Sequence, residues 1–221
     1  DGVNFELKRG TVHALMGENG AGKSTLMKVL SGVYPYGSYE GQIIYNGEEA
    51  KFKNIKESEN AGIVIIHQEL TMIPELSITE NIFMGNEIVK HGLIDWEEAR
   101  VRTMELMERV GLNLNPNTLI KNLGVGQQQL VEIAKALSMN AKILIMDEPS
   151  EGLAPLIIKQ IGEVITRLKG QLTVFLVEQN FNMALSVADS VYIVSRGQVV
   201  YQGDPEELRH DEETKAKWLA V

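Results

Sequence analysis

The sequence contains no cysteine, and this absence excludes two classes of site. Neither a disulfide framework nor a metal centre with thiolate ligands can form in the chain. Long hydrophobic runs are missing too, since no apolar stretch approaches the roughly 20 residues of a membrane-spanning helix, and no secretory signal peptide is visible. From these absences we expect a soluble chain that works in the cytoplasm.

Basic residues are scarce as well. The chain has 21 Lys and Arg against 30 Asp and Glu, which gives a formal net charge of −9 at pH 7. A protein that binds nucleic acid without sequence preference needs a basic face, so we do not expect nucleic acid among the partners. Hydrophobic residues, in contrast, make up 44% of the 221 positions, which is enough for one large domain or for a core with a subdomain.

One stretch of the chain carries the strongest chemical signal. Residues 17–25 read GENGAGKST and match G-x-x-x-x-G-K-[ST], the phosphate-binding loop. The apolar run at residues 12–16 predicts a strand before this loop, and residues 26–30 predict a helix after it. Backbone N–H groups and the helix dipole would hold phosphate oxygens, with Lys23 at the β- and γ-phosphates and Ser24 on Mg²⁺. The alternative is an ordinary glycine-rich turn.

Polar side chains follow two further predicted strands. Gln68 comes just after the apolar run 63–66, and Asp147 and Glu148 follow the run 143–146. Ligands bind beyond the carboxyl ends of strands in open α/β sheets, so we expect these side chains at a ligand-binding edge. Asp147 fits the metal-assisting acid of a phosphate-loop enzyme, and Glu148 fits a base that orients water. The alternative is polar residues at exposed strand ends with no function.

The pattern between residues 70 and 139 is helical. Ser77 and Glu80 predict a capping box at one helix start, and Asp95 with Glu98 predicts an acidic variant at another. Residues 123–129 open the last helix, and their two glycines form either a second anion-binding arrangement or a plain helix-entry turn. Elsewhere, hairpins are predicted within residues 42–47 and 191–202, and the alternation of residues 3–7 predicts an opening strand.

Four motifs occur in a diagnostic order: the phosphate loop, Gln68, residues 123–127 (LGVGQ) and residues 143–149 (ILIMDEP). This combination resembles the ATP-binding cassette (ABC) ATPases over nearly the whole chain, and residues 123–127 correspond to their signature loop. The resemblance implies ATP and Mg²⁺ as cofactors and hydrolysis to ADP and phosphate. It also implies a head-to-tail dimer with a second ATPase subunit, in which each ATP lies between one subunit's phosphate loop and the other's signature loop.

The resemblance assigns a role to each motif. Glu148 is the general base, Gln179 occupies the switch position after a late strand, and Gln68 contacts the metal or water and senses a membrane partner. The implied ATP-binding residues are Gly17, Asn19, Gly20, Ala21, Gly22, Lys23, Ser24 and Thr25; the signature-loop residues are Gly124, Val125, Gly126 and Gln127; the metal ligands are Ser24, Gln68 and Asp147.

We therefore predict an α/β fold. It comprises a phosphate-loop (P-loop) NTPase core with a mostly parallel sheet, an antiparallel β subdomain and an inserted helical subdomain. The predicted division is residues 1–69 for the first part of the ATP-binding core, 70–141 for the helical subdomain with the signature loop, and 142–221 for the second part of the core.

The implied function is the ATP-hydrolysing subunit of an importer that drives uptake of a sugar or an amino acid through a membrane permease. The chain would then lie on the inner face of the cell membrane when it is assembled with the permease subunits. One alternative is a cassette ATPase of DNA repair or translation, but such proteins usually carry long coiled-coil inserts or a second cassette, which these residues lack. Another is an ATP-dependent dimerisation module with weak or no hydrolysis, against which Glu148 argues.

The chain departs from the family pattern in three ways. It starts after the expected position of the family's own first strand, a different strand from the one predicted at residues 3–7, and of the aromatic residue that usually stacks on adenine. Gly124 stands where the signature loop usually has Ser, and Gln179 replaces the usual switch His. These departures predict an ATPase with impaired activity.

Two subfamilies are represented along the chain. Residues up to Glu148 resemble the amino-terminal cassette of simple-sugar importer ATPases. Residues 150–180 resemble branched-chain amino-acid importer ATPases, in which Gln at the switch position is normal. We interpret the chain as a recombined or engineered chimera; the alternative is an undersampled natural branch.

Overall fold

The computed structural model describes residues 2–219, and a six-stranded sheet forms the centre of the molecule. Two short antiparallel strand pairs lie outside this sheet. The strands are β1 (Val12–Met16), β2 (Ile43–Tyr45), β3 (Glu48–Ala50), β4 (Ile63–Ile66), β5 (Val89–Lys90), β6 (Leu93–Ile94), β7 (Ile143–Asp147), β8 (Thr173–Val177), β9 (Ser190–Ser195) and β10 (Gln198–Gly203).

The strand order of the large sheet is β10-β9-β1-β8-β7-β4. All its neighbouring pairs are parallel except β9 and β10. Parallel strands covered on both faces read as unbroken apolar runs, and β1 and β8 are buried at every position. The predicted α/β fold with a mostly parallel sheet is confirmed.

Helices cover both faces of the sheet. On one face, residues of α5 and α6 pack against Leu144 and Val174, and on the other, Met27 packs with Ile145 and Phe175. Among residues 2–219, no helix is both long enough and apolar enough to cross a membrane. The helices are α1 (Lys23–Leu30), α2 (Ile55–Ala61), α3 (Ile78–Phe83), α4 (Trp96–Arg109), α5 (Val125–Ser138), α6 (Pro155–Leu168), α7 (Phe181–Val187), α8 (Pro205–His210) and α9 (Glu212–Trp218).

The inserted helical region consists of α3, α4 and α5, which pack on one another. The predicted capping box is present at α3, where the Glu80 N–H donates to Ser77 Oγ at 3.2 Å and the Ser77 N–H donates to the Glu80 carboxylate at 2.8 Å. At α4, Asp95 accepts a hydrogen bond from the Glu98 N–H at 3.0 Å. Both predicted helix starts are confirmed.

Both predicted hairpins are present. Asn46 and Gly47, with φ of 52° and 84°, join β2 to β3 in the conformation that two-residue hairpin turns require. Arg196 and Gly197 join β9 to β10 with φ of 49° and 74°. The second turn lies against the phosphate loop, because the Gly197 N–H donates to the Ala21 carbonyl at 2.8 Å.

The opening strand predicted at residues 3–7 is wrong. Residues 2–10 contain no strand, although the apolar side chains of this segment are indeed half-buried in alternation. The alternation arises from side-chain packing, since Phe5 stacks on Phe175 at 5.3 Å between ring centroids. Instead of entering a strand ladder, the backbone carbonyl of Glu6 accepts a hydrogen bond from the Tyr192 hydroxyl at 2.8 Å.

A buried histidine in β1 gives the fold a pH dependence. His13 is 2% exposed, and its Nε2 accepts the Lys8 N–H at 2.8 Å, which requires that nitrogen to be unprotonated. Its Nδ1 is buried without a hydrogen-bond partner among residues 2–219. Burial lowers the pKa of His13 below the ordinary value of 6.5. At His13, the unfolded chain therefore binds more protons than the folded chain just below pH 6.5, so this residue makes acid favour unfolding there.

We expect the free energy of unfolding to fall by up to about 1.4 kcal/mol per pH unit below pH 6.5 because of His13. Urea melts at pH 7.5 and 5.5 measure this change, and in His13→Gln the difference between the two pH values should shrink. His210→Gln, which alters an exposed histidine, is the control and should keep the full difference. An unchanged difference in His13→Gln would contradict the prediction.

Candidate functional site

The phosphate loop lies between β1 and α1, as its sequence context predicts. Gly17 has φ of 148°, and a Cβ at this position would lie 2.2 Å from the Val194 carbonyl oxygen, so only glycine fits. Gly22 forms the N-cap of α1 with φ of 105°. Lys23 is 5% exposed, and its Nζ donates to the Gly17 carbonyl at 2.6 Å and to the Glu18 carbonyl at 3.1 Å. The ammonium group is thus held inside the loop.

The register of the sheet brings the predicted site residues to one edge. β1, β8 and β7 are neighbours, with Leu15 paired to Val177 and Val177 paired to Asp147. The phosphate loop and the residues after Asp147 and Val177 therefore leave the sheet side by side. Since β4 is the next strand after β7, Gln68 emerges at the same edge.

Side chains from three separate motifs contact one another at this edge. Gln179 Nε2 donates to Glu148 Oε1 at 2.6 Å and to Asn19 Oδ1 at 2.9 Å. Lys23 Nζ lies 3.8 Å from Glu148 Oε1. The structure thus joins Lys23, Asn19, Glu148 and Gln179 in one polar cluster. We call it the catalytic cluster after the roles that the sequence predicts for its members.

Glu148 has an unusual backbone conformation. Its φ is 48°, in the left-handed region that costs a non-glycine residue roughly 1–2 kcal/mol. The conformation is held by the Glu148 N–H, which donates to the Val177 carbonyl at 2.8 Å. Strained conformations of this kind persist only where the surrounding structure maintains them, and they concentrate at functional sites.

Asp147 lies beside Glu148 in an environment that suits a cation. It is half-buried, and burial is the main cause that raises its pKa, with the Glu148 carboxylate as the next cause. His67 and Lys23 oppose this shift. A divalent cation near Asp147 would favour the charged carboxylate and offset the repulsion between the two acids.

The other two predicted metal ligands are exposed side chains. Ser24 follows Lys23 at the start of α1, and Gln68 contacts the carboxylate of Glu151 through its Nε2. Within residues 2–219, no group of three or more His, Cys, Asp or Glu side chains is arranged to hold a metal ion. A Mg²⁺ ion usually takes only one or two protein oxygens and completes its shell with phosphates and water. Ser24, Asp147 and the side-chain carbonyl oxygen of Gln68 therefore fit this ion.

The predicted signature loop opens α5, apart from the catalytic cluster. Gly124 is the exposed N-cap, and its N–H donates to Gln127 Oε1 at 3.1 Å. Gly126 packs against α6 so closely that a Cβ there would lie 2.4 Å from Ile157 Cγ2. Val125 is 58% exposed. No hydrogen bond joins this loop to the phosphate loop within the described residues, so one chain alone does not unite them.

Sequence reasoning missed Glu178, which is 1% exposed at the end of β8. Its carboxylate accepts backbone N–H groups from the loops after β7 and β8. An acidic residue directly after four apolar strand residues is the same signal that identified Asp147, and it was available in the sequence.

Comparison with known proteins decides the family. The family model described as ABC transporter matches residues 1–151. The chain belongs to this family. The L-arabinose transport ATP-binding protein of Geobacillus stearothermophilus is 52% identical over 216 residues, 97% of this chain and 42% of that protein. The xylose import ATP-binding protein of Moorella thermoacetica is 48% identical over 212 residues, 96% of this chain and 42% of that protein. The chain thus spans less than half the length of these relatives.

Solved cassettes share the fold. An ATP-binding cassette of an ABC transporter in its ADP conformation has a TM-score of 0.84 at 26% identity, covering 98% of this chain and 90% of that one. A dimeric cassette in a post-hydrolysis state, bound to ADP and phosphate, has a TM-score of 0.76 at 25% identity, covering 92% and 89%. Together with the family match, these likenesses show that the chain has the fold of an ABC transporter cassette.

Proposed function

We propose that the chain binds ATP at the phosphate loop and hydrolyses it to ADP and phosphate. The observation that carries this proposal is the catalytic cluster, in which a buried lysine, a half-buried carboxylate and an amide converge beside the loop. Lys23 would leave the loop carbonyls for the β- and γ-phosphates. Glu148 would accept a proton from the attacking water, and Gln179 would hold the Glu148 carboxylate in place.

Mg²⁺ is the proposed second cofactor, with Ser24, Asp147 and Gln68 as its protein ligands. When bound, this ion supplies charge neutralisation at the phosphates. The raised pKa of Asp147 and its two acidic neighbours Glu148 and Glu151 support a cation at this position. Ser24 is exposed at the first turn of α1, where a cation can reach its hydroxyl.

The proposed assembly is a head-to-tail dimer. The signature residues Gly124, Val125, Gly126 and Gln127 lie apart from the phosphate loop of their own chain, and a solved relative of this fold is dimeric with ADP and phosphate. A second copy would bring its exposed α5 N-terminus, with the positive end of the helix dipole, to the γ-phosphate. Each active site would then need both subunits.

We further propose that the chain energises sugar import through a membrane permease and works on the cytoplasmic face of the membrane. The arabinose and xylose proteins, which align over 97% and 96% of this chain, support a sugar as the solute.

A likeness of the last part to amino-acid importers, and hence a chimeric origin, stays a prediction. The division into residues 1–69, 70–141 and 142–221 is proposed with it, and the mutual packing of α3, α4 and α5 supports the middle unit.

Phosphate release from ATP, measured with and without Mg²⁺, tests the proposed activity. Steady release that requires Mg²⁺ is the expected result.

The second candidate function is an ATP-dependent dimerisation module, which Gly124 favours because it lacks the hydroxyl of the usual signature loop. Dimer formation with Mg-ATP but without phosphate release would support this second function and contradict the first.

Gly124→Ser should strengthen ATP-dependent dimerisation. The position accepts serine, because Gly124 has φ of −66° and ψ of 155° and nothing lies within 4 Å of a Cβ there. The hydroxyl would add one hydrogen bond to each phosphate held by the partner, and such a bond contributes about 1.5–3 kcal/mol. We expect the dimer Kd to fall at least roughly 10-fold in a Glu148→Gln background, with unchanged ATP affinity of the monomer.

Sedimentation velocity with Mg-ATP across a dilution series measures this change. Ala216→Ser, which adds a hydroxyl on the exposed side of α9, is the control and should leave the dimer Kd unchanged. Equal or weaker dimerisation of Gly124→Ser would show that the missing hydroxyl does not limit the interface.

A further inference from the structure

A buried carboxylate that the proposed mechanism does not use lies directly behind the catalytic cluster. Glu178 is 1% exposed, and both its oxygens accept backbone hydrogen bonds. Oε1 accepts the Ser150 N–H at 2.9 Å, and Oε2 accepts the Asn180 N–H at 2.9 Å. Carboxylate bonds to backbone N–H groups are among the stronger hydrogen bonds in proteins.

These two N–H groups belong to different loops. Ser150 is in the loop after β7, two residues beyond Glu148, and it is itself 6% exposed. Asn180 follows Gln179 in the loop after β8 and caps α7. One side chain therefore connects the loop that carries the proposed base with the loop that carries the switch residue.

The two loops meet again through the side chains that they present. Glu148 Oε1 and Gln179 Nε2 are 2.6 Å apart, and the Glu148 backbone is held in the left-handed region. A contact of this kind depends on the relative position of its two loops. The buried Glu178 carboxylate bonds to the backbone of both loops.

We infer that Glu178 is a positioning residue for hydrolysis: its carboxylate holds the Ser150 and Asn180 amides so that Glu148 and Gln179 stay in contact. This inference rests on the proposed ATPase function. It assigns no role to Glu178 in binding ATP, because the phosphate loop lies between β1 and α1, and the Ser150 and Asn180 N–H groups donate to Glu178.

Glu178→Gln tests the inference with little change of shape. The amide offers one acceptor oxygen and one NH₂ donor, so one of the two backbone N–H groups would face a donor and lose its bond. We expect kcat to fall about 10- to 100-fold, the scale on which small displacements of catalytic groups act. The Kd of a fluorescent ATP analogue should stay within about 2-fold, since a positioning role affects the transition state alone.

A double variant separates positioning from general loss of structure. If Glu178 acts through Glu148, then Glu148→Gln/Glu178→Gln should hydrolyse ATP at the same residual rate as Glu148→Gln. The matched control is Glu80→Gln, which alters another carboxylate that accepts a backbone N–H, at the start of α3, and should keep kcat unchanged.

Three results would overturn the inference: unchanged kcat in Glu178→Gln, loss of ATP affinity in proportion to kcat, or a double variant slower than Glu148→Gln by the full single-variant factor. If Glu178→Gln does not fold, Glu178→Asp, whose shorter side chain cannot span both amides, is measured by the same criteria. Absence of hydrolysis by the unsubstituted chain would contradict the proposed function itself, and the inference with it, whereas normal hydrolysis with unchanged kcat in the variant would contradict the inference alone.

Discussion

Glu148→Gln is expected to slow ATP hydrolysis by roughly 10²–10⁴-fold, the usual contribution of a general base. The amide has the size of the carboxylate, and its oxygen can still accept the Gln179 Nε2 hydrogen bond that Glu148 Oε1 accepts. The substitution therefore removes the base and leaves the local geometry in place. It also removes a negative charge 3.8 Å from Lys23, so ATP binding should be kept or slightly strengthened.

Phosphate release under single-turnover conditions measures the chemical step, and titration with a fluorescent ATP analogue measures binding. Hydrolysis no longer removes the ATP that lies between the two subunits of the proposed dimer. Glu148→Gln should therefore also elute as an ATP-bound dimer in gel filtration. Glu163→Gln, at an exposed position on α6, is the control for the loss of one surface carboxylate. Hydrolysis by Glu148→Gln at nearly the unsubstituted rate would overturn the role of Glu148 and indicate Asp147 as the base.

The sheet edge that carries the site was predictable because it depends on local patterns. Unbroken apolar runs predict parallel strands buried on both faces, and the residue after each run must then leave the sheet at the ligand edge. Gln68, Asp147 and Glu148 were placed at this edge from such patterns alone. The helix starts at Ser77 and Asp95 were predictable for the same reason, since a cap involves residues only three apart.

The contacts within the catalytic cluster could not be predicted from local patterns. The bond between Gln179 and Asn19 joins residues 160 positions apart, and it depends on the strand order β1-β8-β7. The left-handed backbone of Glu148 has no sequence signal, because glutamate has no intrinsic preference for that conformation. The strand predicted at residues 3–7 is wrong for a different reason. The alternation of apolar and polar residues does correspond to a half-buried face, but Phe5 is buried by stacking on Phe175 and not by a strand ladder.

Lys23→Ala is expected to weaken ATP binding by roughly 10- to 150-fold, because a hydrogen bond to a charged group contributes about 1.5–3 kcal/mol. Lys23 is the cation that the structure places inside the phosphate loop, held by the Gly17 and Glu18 carbonyls. Transferring its ammonium group to phosphate oxygens exchanges neutral acceptors for charged ones. The loss should therefore appear in the Kd of ATP and be larger for ATP than for ADP, which lacks the γ-phosphate.

The alternative explanation of weaker binding is a damaged loop, and α1 offers a matched control for it. Lys28 lies on the same helix, exposed, with its Nζ 5.9 Å from the centre of the Tyr34 ring. Lys28→Ala makes the same change in charge and size five residues farther along, and it should keep full ATP affinity. Isothermal titration of both variants with ATP and ADP, together with their circular dichroism spectra, separates the two explanations. A folded Lys23→Ala variant that binds ATP as tightly as Lys28→Ala would show that residues 17–25 do not hold the phosphates.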